Sequence, residues 1–198
     1  MINMEIIILV YERRHTMKSK ITLLILVLTM VLFTGCNKNN AGNKTSDKIT
    51  PDVVSTASIV NTNEAFEKAI SSSGTWIIAL TKDLTLDKDL LLEGEFKNGK
   101  KDDNGNDVIQ RKIALYAQDE ERNITARYTL SAPKLTITSP NASIQHGTFK
   151  GDLYVSVANF QLVDATVDGN LYFTTEDAKT TFTMDQNSKV TGVQELKK

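Results

Sequence analysis

The chemistry open to this 198-residue chain rests on oxygen ligands and aromatic rings, because it has one cysteine and two histidines. That leaves almost nothing for a zinc cage, a disulfide framework or a Cys/His nucleophilic pair. The run Asp102-Asp103-Asn104-Gly105-Asn106-Asp107 supplies the hard oxygen donors that calcium takes. Its glycine falls too early for an EF-hand and no glutamate closes the loop, so a solvated turn is the plainer reading. Asp152, Asp164 and Asp168 lie close together with Lys150 beside them. Asp164 and Asp168 are a formal candidate for a glycosidase pair, which needs two carboxyl groups about 5 to 9.5 Å apart. Outward-facing solvated charges account for the same residues more simply. His146 has no serine or cysteine partner in view and reads as a polar turn residue. Tyr154 and Tyr172 recur at matching positions, each after an apolar leucine. They are expected to point outward, either as a platform for sugar rings or as a shield over a sheet face.

These residues sit in a repeat. Thr148-Phe149-Lys150-Gly151-Asp152-Leu153-Tyr154 lines up with Thr166-Val167-Asp168-Gly169-Asn170-Leu171-Tyr172, eighteen residues on, and Lys189-Val190-Thr191-Gly192-Val193 is a fainter third copy. The alignment makes Lys150 equivalent to Asp168 and Asp152 equivalent to Asn170. With Tyr154 and Tyr172, these four form the candidate ligand face. Short alternating strands are expected upstream of each copy, at Leu135-Thr136-Ile137, Phe160-Gln161-Leu162 and Phe182-Thr183-Met184. In each, the first and third residues are apolar, as a period of two with one buried face requires. Three strands per repeat of about 22 residues, with glycines 151, 169 and 192 between strands, describe an all-β chain coiled as a three-sided parallel β-helix of about five turns. Such a solenoid is stabilised by stacking each turn on the next.

The rest of the chain frames that repeat. Thr62 or Asn63 is a helix N-cap, and Glu64 to Ile70 place Phe66, Ala69 and Ile70 on one face. This predicts an N-terminal capping helix, ended by Ser71-Ser72-Ser73-Gly74. Trp76 to Leu80 reads as a strand, with Trp76 expected to plug the core. Lys97 to Gln110 is polar and carries Asn98-Gly99 and Asn104-Gly105, which predicts a projecting loop or hairpin. Asp119 to Asn123 is a second polar turn. The order of helix, glycine-bearing turn and buried strand, then Leu84-Thr85-Leu86, Leu90-Leu91-Leu92 and Leu135 to Gly151, resembles the opening of pectate-lyase-like right-handed β-helices. The resemblance covers roughly residues 62 to 195. It implies a right-handed coil and, in its enzymes, calcium held by aspartates with a basic residue abstracting a proton. No cluster of acids with an arginine here matches that pattern residue by residue.

The N-terminus addresses the chain. Lys18 and Lys20 precede an apolar run from Ile21 to Phe33, followed by Thr34, Gly35 and Cys36. A basic n-region and an apolar segment too short to span a bilayer describe an export signal. Phe33-Thr34-Gly35-Cys36 resembles the lipobox of bacterial lipoproteins, which implies lipidation at Cys36. Residues 37 to 50 are polar and expected to be a flexible tether, so the organisation is a 1–36 signal, a 37–50 tether and a 51–198 folded domain. The whole chain carries a formal charge of −1; losing the leader removes four basic and two acidic residues and leaves 19 basic against 22 acidic. No electrostatic case for nucleic acid exists, and membrane attachment falls to the lipid. The expectation is a lipid-anchored protein on the extracytoplasmic side of the cell membrane. It serves as a non-catalytic module for polysaccharide or a surface partner, needing no cofactor. The alternative is a small calcium-dependent polysaccharide lyase or other carbohydrate-active enzyme.

Overall fold

The computed structural model describes residues 57–197. The expected leader, Cys36, the tether and residues 51–56 lie outside them. The described chain opens with β1 (Ser58–Val60), α1 (Asn63–Ile70), β2 (Ile77–Leu80), β3 (Leu84–Thr85) and β4 (Leu90–Leu92). A hairpin of β5 (Lys97–Lys101) and β6 (Asp107–Ile109) leads to β7 (Arg111–Ala114), and a second hairpin is made by β8 (Tyr116–Gln118) and β9 (Ile124–Arg127). The repeat region follows as β10 (Thr129–Ile137), β11 (Ala142–Gln145), β12 (Thr148–Val155), β13 (Gln161–Val163), β14 (Thr166–Asp168) and β15 (Leu171–Phe173). Helix α2 (Glu176–Thr181) and the short strands β16 (Thr183–Met184), β17 (Lys189–Val190) and β18 (Gln194–Leu196) end the chain.

The chain is mostly strand, and outside the two antiparallel hairpins every pairing is parallel. One sheet runs β1-β2-β7-β11-β13-β16. The other holds two adjoining columns, bridged by the long strands β10 and β12. Period-two alternation puts one residue type on each side of a strand, and the register stacks the inward ones. Ile78, Ile113, Ile144, Leu162 and Met184 form one row. Leu84, Leu130, Phe149, Val167 and Val190 form the second. Leu92, Ile137, Val155, Phe173 and Leu196 form the third. All are buried except the last members, of which Met184 is 39% exposed.

The register corrects one expectation. Leu135-Thr136-Ile137 does not stack on Phe160-Gln161-Leu162; it pairs with Leu90–Leu92 and with Leu153-Tyr154-Val155. Ile144 is the residue that stacks on Leu162. All three rows carry the same apolar-x-apolar pattern, so spacing alone cannot assign a strand to its row. The true step is eighteen residues from Ile144 to Leu162 and from Leu153 to Leu171. It lengthens to twenty-two from Leu162 to Met184, where α2 is inserted.

Between the columns the backbones approach closely. A Cβ on Gly169 (φ 156°) would lie 2.1 Å from the Gly151 carbonyl oxygen, and one on Gly151 (φ 139°) 1.9 Å from that of Ala132. Glycine is required there by contact and by conformation.

Thr62 caps α1, accepting the Ala65 N–H at 3.2 Å, and Phe66, Ala69 and Ile70 are buried as their spacing predicts. The fully buried Arg111 satisfies the helix's far end. Its guanidinium donates to the carbonyls of Ala69 (2.6 Å), Ser71 (3.1 Å) and Glu93 (2.7 Å) and lies 3.8 Å from the Phe96 ring centroid. Burial pulls its pKa down to about 10, which leaves it charged at neutral pH. Trp76 is not the expected plug. It is only half-buried, with the Lys112 ammonium 5.8 Å from its ring, and Phe66 fills the core instead.

Candidate functional site

The expected ligand face is assembled by β12, β14 and β15, and its members do come together. Lys150 pairs with Asp168 in register, and Tyr154 with Tyr172. Asp152 accepts the Asn170 backbone N–H (3.2 Å) and side-chain amide (2.9 Å) through one oxygen, and Asp168 accepts the Thr191 hydroxyl at 3.2 Å. The tyrosine rings stand 4.8 Å apart at 44°. Their exposure departs from expectation, since Tyr172 is only 9% exposed. The following strand explains this. Glu195 of β18 stacks next to Tyr172, and the Lys197 ammonium sits 4.2 Å from its ring while donating to the Tyr154 hydroxyl at 3.0 Å. A flat aromatic platform is thus replaced by a clasped pair.

The 102–107 loop forms the tip and base of the β5–β6 hairpin. One Asp102 oxygen accepts the N–H groups of Asn104 (2.9 Å) and Asn106 (2.8 Å), and the other accepts the Asn106 amide at 3.1 Å. The Asn106 backbone bond is the largest of the effects that hold its carboxyl below the usual range. Asp107 lies between Lys101 (2.6 Å) and Lys97 (2.7 Å), and their hydrogen bonds lower its pKa to about 2. Asp103 and Asn104 are exposed at the turn. Of the oxygens expected to ligate calcium, those of Asp102 and Asp107 are engaged by the hairpin's own donors. Among the described residues, no three acidic, histidine or cysteine side chains are grouped so as to hold a metal ion.

Two corners join the sheets. At the first, β13 leads into Asp164, which stacks on His146 with both backbones left-handed (φ 49° and 59°). The Asp164 carboxylate accepts from Arg127 and faces His146 Nδ1 at 3.0 Å, while its backbone N–H donates to Asp185 at 3.0 Å. Arg127, then His146, hold Asp164 below the ordinary carboxylate range. The Ser188 hydroxyl, first among several donors, does the same for Asp185. Tyr116 meets His146 edge-on at 4.5 Å between centroids. Because Tyr116 and Arg127 are the two feet of the β8–β9 hairpin, this corner fastens that hairpin to the stack. Asp164 and Asp168, the formal carboxylate pair, are thus held by different partners.

At the second corner Asn159 stacks on Asn141, again both left-handed (φ 60° and 50°). The Asn159 amide donates to Asn141 Oδ1 at 3.0 Å, and the Asn141 amide to the Ile109 carbonyl at 3.0 Å. The Asn159 backbone N–H donates to Thr181 Oγ1 at 2.8 Å. These residues floor a groove of about 430 Å³, bounded by Val108, Ile109 and Gln110 on the β6 side and by Thr181 and Thr183 on the α2 side, with Gln161 between. The sequence reading missed this groove and the 146/164 corner. Both carry a signal, because Asn141 and Asn159, like His146 and Asp164, are eighteen residues apart. Comparison with protein-family profiles, with curated proteins and with solved structures gives no match for this chain.

Proposed function

We propose that the protein is a non-catalytic binding module, lipid-anchored through Cys36 on the extracytoplasmic face of the cell membrane, that holds polysaccharide or a surface partner. Its domain is a short right-handed parallel β-helix with α1 as the N-terminal cap. The three stacked rows and their eighteen-residue step support the coil, and the strong bias of parallel crossovers supports the hand. The observation that carries the functional reading is the engagement of the acids. Asp152, Asp164 and Asp168 each serve a neighbouring rung or the β8–β9 hairpin. A general acid or base needs a carboxyl reachable by substrate and poised near working pH, whereas Asp164 is held low by an arginine.

Incubating the full chain with polygalacturonate and alginate, with and without chelator, tests the reading against the lyase alternative. Retention on an immobilised neutral polysaccharide, with no new unsaturated ends formed from either uronate polymer, is expected. Chelator-sensitive release of unsaturated product would overturn it. For the anchor, Cys36→Ser should leave the membrane fraction or accumulate as precursor, and unchanged fractionation and mass would rule lipidation out.

A further inference from the structure

We infer that the groove between the β5–β6 hairpin and α2 is a subsite for a neutral, hydroxyl-rich glycan chain. This rests on the polysaccharide reading and names the ligand class and its location. The groove is lined without a single charged side chain, so it offers nothing to neutralise a uronate or phosphate. In place of charge it offers unoccupied amides and a hydroxyl. Among the described residues, the Gln161 side chain and the Thr183 hydroxyl have no hydrogen-bond partner, Gln110 uses only its oxygen, accepting from Asn98 at 2.9 Å, and Asn159 Oδ1 receives no donor. Side-chain amides present a donor and an acceptor side by side, which is the pattern that adjacent sugar hydroxyls match in either sense. Val108 and Ile109, half-buried at the wall, supply apolar surface for the C–H face of a ring.

The site is also built rigid. Asn141 and Asn159 hold each other and tie the hairpin wall to the floor through the Ile109 carbonyl. The Thr181 hydroxyl, which accepts from Asn159, donates to the Asp177 carbonyl at 2.6 Å and so fixes the α2 wall. Little ordering is left to be done on binding, which favours affinity from a few hydrogen bonds. Rungs of a parallel sheet repeat at about 4.8 Å, so the free groups on adjacent rungs can meet successive units of an extended chain.

The test uses the full chain in detergent micelles against cello-, laminari- and chito-oligosaccharides, with oligogalacturonate as the charged control. Binding of a neutral oligosaccharide in preference to oligogalacturonate is expected. Gln161→Ala should weaken it about tenfold, the loss of one or two hydrogen bonds. Thr183→Val should weaken it severalfold, and Glu120→Gln, exposed in the turn between β8 and β9, should leave it unaltered. Neither groove side chain has a hydrogen-bond partner among the described residues, so unchanged melting temperatures will show that the variants fold. Neutral-glycan binding that survives both groove substitutions would overturn the groove and leave polysaccharide binding standing. A preference for oligogalacturonate would do the same. Failure of every oligosaccharide to bind would overturn both.

Discussion

The two corners flanking β13 solve the same backbone problem with opposite chemistry. Each turns the chain from one sheet to the other through a left-handed residue stacked on another eighteen positions earlier: Asn159 on Asn141, and Asp164 on His146. The amide corner uses neutral groups and leaves some of its hydrogen-bonding capacity open to the groove. The ionic corner uses Arg127, His146, Asp164 and Asp185, and turns them on one another. The difference teaches that charge here serves assembly, by fastening an inserted hairpin, whereas the groove proposed for a ligand is lined by uncharged side chains.

The largest expected effect lies in the strand between the corners. Leu162 is 1% exposed, so Leu162→Asp buries an unpaired charge and is expected to unfold the domain, whereas Gln161→Asp on the outer side is tolerated. Thermal melts showing the two equally harmless would mean that the strand phase is wrong. Next come the corners themselves. Asp164→Ala removes the partner of both Arg127 and His146 and places alanine at φ 49°, and should cost about 3 kcal/mol. Asn159→Ala loses one amide bond and suffers the same backbone strain, for about 1.5 kcal/mol. Glycine at either position should recover about 1 kcal/mol of that strain. Equal losses by urea titration at the two alanine variants would erase the distinction between the corners.

A pH series sharpens the comparison further. Asp164 titrates below its unfolded value of about 3.9, so its contribution is fully present above that value and is lost as pH falls through the lower folded pKa. The stability advantage of the native chain over Asp164→Asn should therefore be intact at pH 5 and shrink below about pH 4, measured by urea titration at each pH. An advantage that grows on acidification would mean that Asp164 is not held by Arg127. The smallest effect is Gln161→Ala, which should move stability by less than about 0.5 kcal/mol because the side chain is exposed and has no hydrogen-bond partner among the described residues. A larger loss would show that the amide corner, too, is committed to holding the fold.

Much of this was legible in the residues. The Thr148–Tyr154 repeat located the stacked pairs 150/168, 152/170 and 154/172, and alternation put Phe160, Leu162, Val167 and Leu171 inside. The cap at Thr62 followed from local chemistry. The row occupied by Ile137 was not legible, because leucine-x-isoleucine satisfies any of the three rows and only hydrogen-bond register distinguishes them. Nor was the covering of Tyr172, which depends on Lys197, a residue twenty-five positions away that no local pattern links to it. Helix α2 was missed although Thr175 caps it and Glu176 and Asp177 occupy its first turn. Six residues in helix between two strands are too few to show an apolar period. The corners were missed for another reason: left-handed asparagine, histidine and aspartate look like ordinary loop residues until their common offset of eighteen is noticed.

Arg111 has a consequence in time as well as in energy. It closes the carbonyl end of α1 from forty-two and forty residues away along the chain, at Ala69 and Ser71. Those carbonyls have no partner within the helix, so α1 cannot be fully satisfied until β7 has been laid down, and loop closure over that distance is costly before it is rewarded. Helix α1, although it precedes the repeats in the chain, is thus expected to be among the last elements locked. Pulsed hydrogen exchange during refolding reads the order directly: amides of α1 should gain protection after those of β12 and β14, and the reverse order would show that the cap forms without its guanidinium. Folding, on this view, runs from the repeats outward to the lid, against the direction in which the chain is synthesised.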